Sequence, residues 1–300
     1  MTQHIDAPAA APAGPDIPQL QRIAAQVRGD VLRAVANAGG GHIGGPFSAA
    51  DILVALYFRI LRIRPDDPTW EDRDRFVLSK GHSSIGLYAT LAARGFFPRE
   101  ELMTFDKINS RLQGHPDMTR LPGLDMSTGS LGCGISTAVG MALGAKRRKK
   151  DLFVYCIVGD GECQEGEVWE AAMIGGRYKL DNLIGILDFN GLQQYGWPGA
   201  TIAQRLAPWG REELPALWRA WGWRVLEMDG HNMQAILDTL AEAQQGRGSG
   251  QPTMVVAHTV KGHGVSYTRG AYEWHAKVPT ADELARGLAE LEAAGEIDHD

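Results

Sequence analysis

Four apolar runs constrain this chain more than any other feature: LFVYCIV at 152–158, NLIGILDF at 182–189, WRVLEM at 223–228 and TMVVAHTV at 253–260. Their hydrophobicity is nearly continuous instead of alternating. A strand of that kind is buried on both faces, and strands so buried belong to parallel sheets with helical crossovers. Helical segments do separate the runs. The expected fold class is therefore α/β, an open, mostly parallel sheet with helices on both faces. Upstream, RFVLS at 75–79 reads as one more short strand.

The helices follow from apolar spacing. Leu20, Ile23, Val27, Val31 and Val35 share one face of a segment that GGGHIGG at 39–45 ends. SAADILVALYFRIL at 48–61 reads as a helix capped by Ser48, with Asp51 against its positive end. SSIGLYATLAARG (83–95), the small-residue segment GCGISTAVGMALGAK (132–146) and TADELARGLAELEAA (280–294) complete the set. Residues 106–131 lack periodicity and are rich in Gly, Pro and Met, and a loop that long is usually functional. Residues 1–18 hold four prolines and five alanines and read as a disordered tail, leaving residues 19–300 as one domain.

Charge and cysteine content exclude several classes. A net charge of -6 offers no nucleic-acid surface, and KRRKK at 146–150 reads as a solvated helix end. Three cysteines make no disulfide framework. No run approaches the roughly 20 apolar residues that cross a bilayer, and the N-terminus lacks signal-peptide features. A cytoplasmic enzyme or enzyme subunit is expected, with no nucleic-acid or membrane partner.

Ligands of open parallel sheets sit beyond the carboxyl ends of the strands. Asp160, between Gly159 and Gly161, follows one strand, and Asn190 follows the next. A carboxylate, an amide oxygen and a nearby main-chain carbonyl make a hard oxygen site suited to Mg²⁺ or Ca²⁺. The flanking glycines allow close approach of a phosphate, so a diphosphate is the natural complement. Alternatively, both motifs are plain strand-end turns. VGDGECQEG has neither the dinucleotide fingerprint nor a Walker A loop. Of five histidines considered among the chain's nine, His42, His82, His115 and His263 adjoin glycine, and His275 follows in EWHA. Neutral imidazoles on turns can donate to phosphate or sugar hydroxyls. Glu165 and Glu167 open a helix, where they complement its N-terminus. Cys163 reads as exposed in a polar turn without a partner base. Trp169, Trp218, Trp221 and Trp223 read as core or interface residues.

In combination these pieces resemble the transketolase family, specifically the N-terminal, diphosphate-binding half in its split-subunit form. GHIGG, LSKGHSSIGLYATLA, GHPDMTRLPGLDMSTGSLGCGISTAVGMALGAK, GDGECQEGEVWEAAMIGG, LDFNGLQ and TVKGHGVS occur in order, covering about residues 20–280. The resemblance implies a thiamine diphosphate-binding fold and the cofactors thiamine diphosphate and Mg²⁺, with Ca²⁺ a substitute. It implies that Asp160, Asn190 and the Leu192 carbonyl hold the metal. It makes His82, Gly159 and Gly161 diphosphate contacts, and lays Leu131 along the thiazolium. His42 and His115 become the histidines that hold substrate hydroxyls and move protons. Glu165 becomes the acid that meets the partner and couples two active sites. The late histidine segment matches only in part, with Tyr272 and His275 in GAYEWHAK, and His275 is carried over as a residue near the phosphates or substrate. Ile43 stands where many relatives have proline.

The family's pyrimidine-binding domain supplies the glutamate that activates the cofactor, and 300 residues leave no room for it. The expectation is a C-terminal partner subunit carrying that domain, in an α2β2 heterotetramer acting on sugars or sugar phosphates by two-carbon ketol transfer. Another thiamine diphosphate subunit, such as a 2-oxo acid dehydrogenase E1 component or a deoxyxylulose-phosphate synthase-like protein, and a non-catalytic module of the same fold are the alternatives.

Overall fold

The computed structural model describes residues 14–194 and 209–296, with side chains to residue 294. Its strands are β1 (Arg75–Leu78), β2 (Val154–Gly159), β3 (Leu183–Phe189), β4 (Arg224–Asp229) and β5 (Thr253–His258). They form one sheet in the order β1-β2-β3-β5-β4, every neighbouring pair parallel. The helices of the described residues are α1 (Ile17–Ala38), α2 (Gly44–Ala55), α3 (Ser84–Arg94), α4 (Cys133–Arg147), α5 (Gly166–Arg177), α6 (Glu213–Ala220), α7 (Met233–Gln245) and α8 (Ala281–Glu296).

Successive side chains of a strand point to opposite faces, and two separate cores result. Tyr155, Ile157, Ile184, Ile186, Val255 and Ala257 pack with residues of α1, α2, α3 and α7. Val154, Cys156, Val158, Leu183, Leu187 and Val256 pack with residues of α4, α5 and α6. Both faces are covered, which explains why β2 and β3 are buried along their whole length. WRVLEM departs from that expectation. β4 is the outer strand beside β5, its residues 224–226 are half-buried and Glu227 is exposed.

Two helix starts differ from the sequence reading. α1 begins at Ile17, so the tail boundary at residue 18 lies too late; residues 1–13 fall outside the described residues. Asp16 caps the helix by accepting from Gln19 N at 2.8 Å, while the Gln19 side chain accepts from Asp16 N at 2.9 Å. This reciprocal box overrides the surrounding Pro-Ala composition. Ser48 is not a cap: α2 starts four residues earlier at Gly44, with Pro46 in its first turn, where a missing N–H costs nothing. Ser48 instead donates to the Gly45 carbonyl (3.0 Å) and the buried Asp188 carboxylate (2.6 Å).

Asp51, also expected at a helix start, is a core charge. Arg28 donates to both of its oxygens at 3.1 and 2.5 Å and to the Phe47 carbonyl. His231 Nδ1 lies 2.9 Å from Asp51, and His231 Nε2 accepts from Val260 N at 2.8 Å. Burial by itself would raise the Asp51 carboxyl, but the Arg28 charge and the hydrogen bonds from His231 and Arg28 hold it well below the usual carboxylate range. Breaking such a pair strands a buried charge. Arg28→Met is therefore expected to destabilise the fold by about 3–5 kcal/mol in urea unfolding. Arg28→Met combined with Asp51→Leu should cost less than the single change, and a purely additive loss would contradict the pairing.

Among the described residues no helix is long and apolar enough to cross a membrane. Residues 146–149 of the basic run are exposed at the end of α4, as expected.

Candidate active site

The parallel register brings the ends of β2 and β3 side by side, with Gly159 opposite Asp188. Asp160 and Asn190 follow directly, at the carboxyl edge of the sheet. Asp160 Oδ1 accepts from Gly161 N at 2.7 Å and Oδ2 from Gly191 N at 2.6 Å, so the carboxylate stitches the two strand ends together. Asn190 Oδ1 accepts from Leu192 N at 3.1 Å. Burial, with the neighbouring Asp188 charge, pushes the Asp160 carboxyl up to about 7.

A pocket of about 610 Å³ opens over this edge. Asp160, Asn190 and Leu192, the residues expected to hold a metal, all line it. Gly159, Gly161, His82 and Leu131 line it as well, the last from the turn that precedes α4. His42, from the glycine-rich turn before α2, and His115 and His275 form other walls, and Glu165 stands exposed at the N-terminus of α5. His42, His82, His115, Leu131, Gly159, Asp160, Gly161, Glu165, Asn190, Leu192 and His275 thus all lie on one surface, whereas His263 does not.

The local supports are specific. Tyr88 Oη donates to the carbonyls of Gln113 (3.0 Å) and His115 (3.2 Å), and Ser84 Oγ to that of Gly114 (2.8 Å), fastening the QGHP turn to α3. A Cβ on Gly134 would lie 2.5 Å from Ser79 Cα, so α4 can approach the end of β1 only because residue 134 is glycine. His42, His82 and His275 form a triangle with ring centroids 5.0–5.2 Å apart. Burial, with the charges of His115 and Lys261, lowers His42 to about 4, and burial, with Lys261, lowers His275 to about 3. His82 is driven well below its ordinary value, by burial first and Lys80 second. These three rings are neutral near pH 7 and available as hydrogen-bonding groups.

Lys80, Lys261, Glu162 and Asp188 belong to the site but were not singled out from the sequence. Both lysines stand in Lys-Gly-His triplets, and that repeated triplet is their signal in the sequence. Lys80 is ion-paired with the fully buried Asp188, which also accepts from Thr259 Oγ1 and Ser48. The Lys80 charge is thereby compensated. Lys261 is 3% exposed, and among the described residues no carboxylate forms an ion pair with it. Its ammonium donates to the Leu192 carbonyl at 3.1 Å and to His275 Nδ1 at 2.8 Å. Burial pushes it down to about 8 against the pull of Asp160. Glu162 accepts from Ser79 Oγ (2.5 Å), Gly132 N (2.8 Å) and Gly159 N (3.0 Å), tying β1, β2 and the start of α4 together.

Other expectations fall away from the pocket. Cys163 is fully buried, not exposed, and burial raises its thiol well above the ordinary range, so it is no nucleophile. His263 stacks on His231 at 3.6 Å, beside Asp51. Ligand atoms of Asp51, His231 and His263 lie within 4.8 Å of one another, but both His231 nitrogens already have partners. Trp218 and Trp223 are core residues, whereas Trp221 is 39% exposed.

Three hard oxygens, a buried ammonium without an ion-pair partner among the described residues, and neutral imidazoles fit a diphosphate together with a divalent ion. Fold and site together define an open parallel α/β domain with a polar pocket at the carboxyl edge of its sheet. The chain belongs to the transketolase family: the family described as "Transketolase, thiamine diphosphate binding domain" matches residues 20–291. It is 42% identical to the 6-deoxy-6-sulfo-D-fructose transketolase subunit SqwG of Clostridium sp. (strain MSTE9), over 92% of this chain and 97% of that protein. It is 43% identical to an apulose-4-phosphate transketolase subunit of Phocaeicola vulgatus, over 87% of this chain and 89% of that protein. The transketolase structure from Campylobacter jejuni superimposes with a TM-score of 0.83 at 30% identity, covering 94% of this chain but only 46% of that one.

Proposed function

We propose that the chain is the diphosphate-binding subunit of a split transketolase, transferring a two-carbon ketol unit from a ketose to an aldose. The observation that carries this reading is the convergence of the metal oxygens, the imidazoles and Lys261 on one pocket of a transketolase-family domain. Asp160, Asn190 and the Leu192 carbonyl would hold Mg²⁺, with Ca²⁺ as a substitute. His82, His275, Lys261 and the backbone at Gly159 and Gly161 would hold the diphosphate, and Leu131 would face the thiazolium. When bound, thiamine diphosphate supplies the carbanion chemistry of ketol transfer.

The rest falls to side chains of this protein. His42 and His115 hold hydroxyls of the ketose and exchange protons with them, a task suited to a neutral imidazole such as His42. Glu165, exposed beside the pocket, meets the partner protein and couples two sites in an α2β2 assembly. Relatives of about this length are themselves described as subunits, which supports the two-chain reading.

No arginine lines the pocket among the described residues, and its two lysines lie deep in it. Recognition of a distal anionic group on the sugar is therefore assigned to the partner. Relatives named for a sulfo-sugar and for a sugar phosphate accord with a shared half-site that reads only the ketol end. A panel of ketose phosphates, sulfo-ketoses and 2-oxo acids, run on the reconstituted complex, tests this. Turnover is expected with a ketose donor, and activity confined to 2-oxo acids would refute the proposal in favour of another thiamine diphosphate enzyme.

A further inference from the structure

Lys261 and the divalent ion are drawn to the same oxygen. The Leu192 carbonyl accepts from the Lys261 ammonium at 3.1 Å, and it is also the main-chain oxygen expected to ligate the metal. A carbonyl oxygen has two lone pairs, but a dication and an ammonium on the same oxygen repel strongly in a buried site. The ammonium has no ready retreat. It is buried, its other partner is the neutral His275, and the remaining lysine of the pocket already neutralises Asp188. Asp160 draws on both cations, but one carboxylate does not neutralise a dication and an ammonium, and a diphosphate adds the missing negative charge.

We infer that Lys261 makes metal binding conditional on the diphosphate: it opposes a divalent ion that arrives alone and supports one that arrives with phosphate. This inference rests on the site reading given above. Lys261 thus acts as a positioning residue that enforces joint loading of ion and cofactor. By linkage, the synergy between ion and diphosphate is a coupling between two ligands, and removing the ammonium should remove most of it.

The test uses the full chain, with Mn²⁺ alone followed by electron paramagnetic resonance and inorganic diphosphate alone followed by calorimetry. Lys261→Met keeps the apolar stem and Lys261→Gln keeps a polar end; thermal unfolding checks that each variant is folded. In both, Mn²⁺ alone is expected to bind about tenfold tighter and diphosphate about tenfold weaker, an order of magnitude set by removing one buried unit charge near each ligand. Opposite signs cannot come from a loosened fold, which would weaken both. Mn²⁺ binding by the variants where the wild type shows none supports the inference. Unchanged or weaker Mn²⁺ binding in the variants overturns it while leaving the site reading intact. Failure of wild type and variants alike to bind either ligand overturns both.

Discussion

Replacing Asp160 by alanine is expected to abolish Mg²⁺-dependent binding of thiamine diphosphate. The side chain is 2% exposed, and its carboxylate is the only anionic group among the three oxygens assigned to the metal. Without it, an amide and a carbonyl would face a dication and two negative phosphates would lose their bridge. Loss of groups that merely orient metal ligands costs roughly 10–100-fold in affinity, so loss of a charged ligand should exceed that. Asp160→Asn separates binding from folding. It keeps the shape and one acceptor for the Gly161 and Gly191 N–H groups, and it relieves the repulsion with Asp188. Calorimetric titration of the assembled enzyme, with unfolding curves in parallel, measures both. Affinity within a few-fold of wild type would show that the metal sits elsewhere.

The chain by itself is expected to show negligible ketol transfer, and addition of its partner to restore turnover by several orders of magnitude. The walls of the pocket hold groups suited to metal, diphosphate and hydroxyls, but among its described lining residues the carboxylates are Asp160, Glu162 and Glu165. Asp160 is committed to the strand ends. Glu162 is committed to Ser79, Gly132 and Gly159. Glu165 lies exposed at the start of α5. Activation of the far ring of the cofactor is assigned to the partner. Coupled enzymatic assay of each chain and of the mixture, with light scattering for mass, reads the result. Turnover appearing together with a mass of two chains of each kind supports the assembly. Full transfer by the chain alone would defeat it.

Much of this was legible without coordinates, for local reasons. Continuous apolar runs betray strands buried on two faces, and Gly-Asp-Gly after one run and Asn after the next place oxygens at one sheet edge, because parallel neighbours end together. His42, His82 and His115 were visible because glycine beside histidine marks a turn. The reading failed where a residue's role is set by a distant neighbour. Ser48 has the composition of a cap, but a partner 140 positions away, Asp188, makes it a core hydrogen-bond donor. Asp51 suits a helix start, yet Arg28 and His231 make it a buried ion. Cys163 sits among polar residues in sequence and is fully buried in space.

The amino-acid sequence by itself thus determined the strand and helix pattern, the parallel character of the sheet and the turns that carry Asp160, Asn190 and the imidazoles. Each depends on periodicity and backbone chemistry within a few residues. Only the tertiary structure decided which charges are compensated. Lys80 and Lys261 stand in identical Lys-Gly-His triplets. The sheet order sets Asp188 beside the first, while the second meets only a carbonyl and an imidazole. Whether a buried ammonium is a structural pair or a free cation depends on what packs around it, and that is settled by residues far from it along the chain.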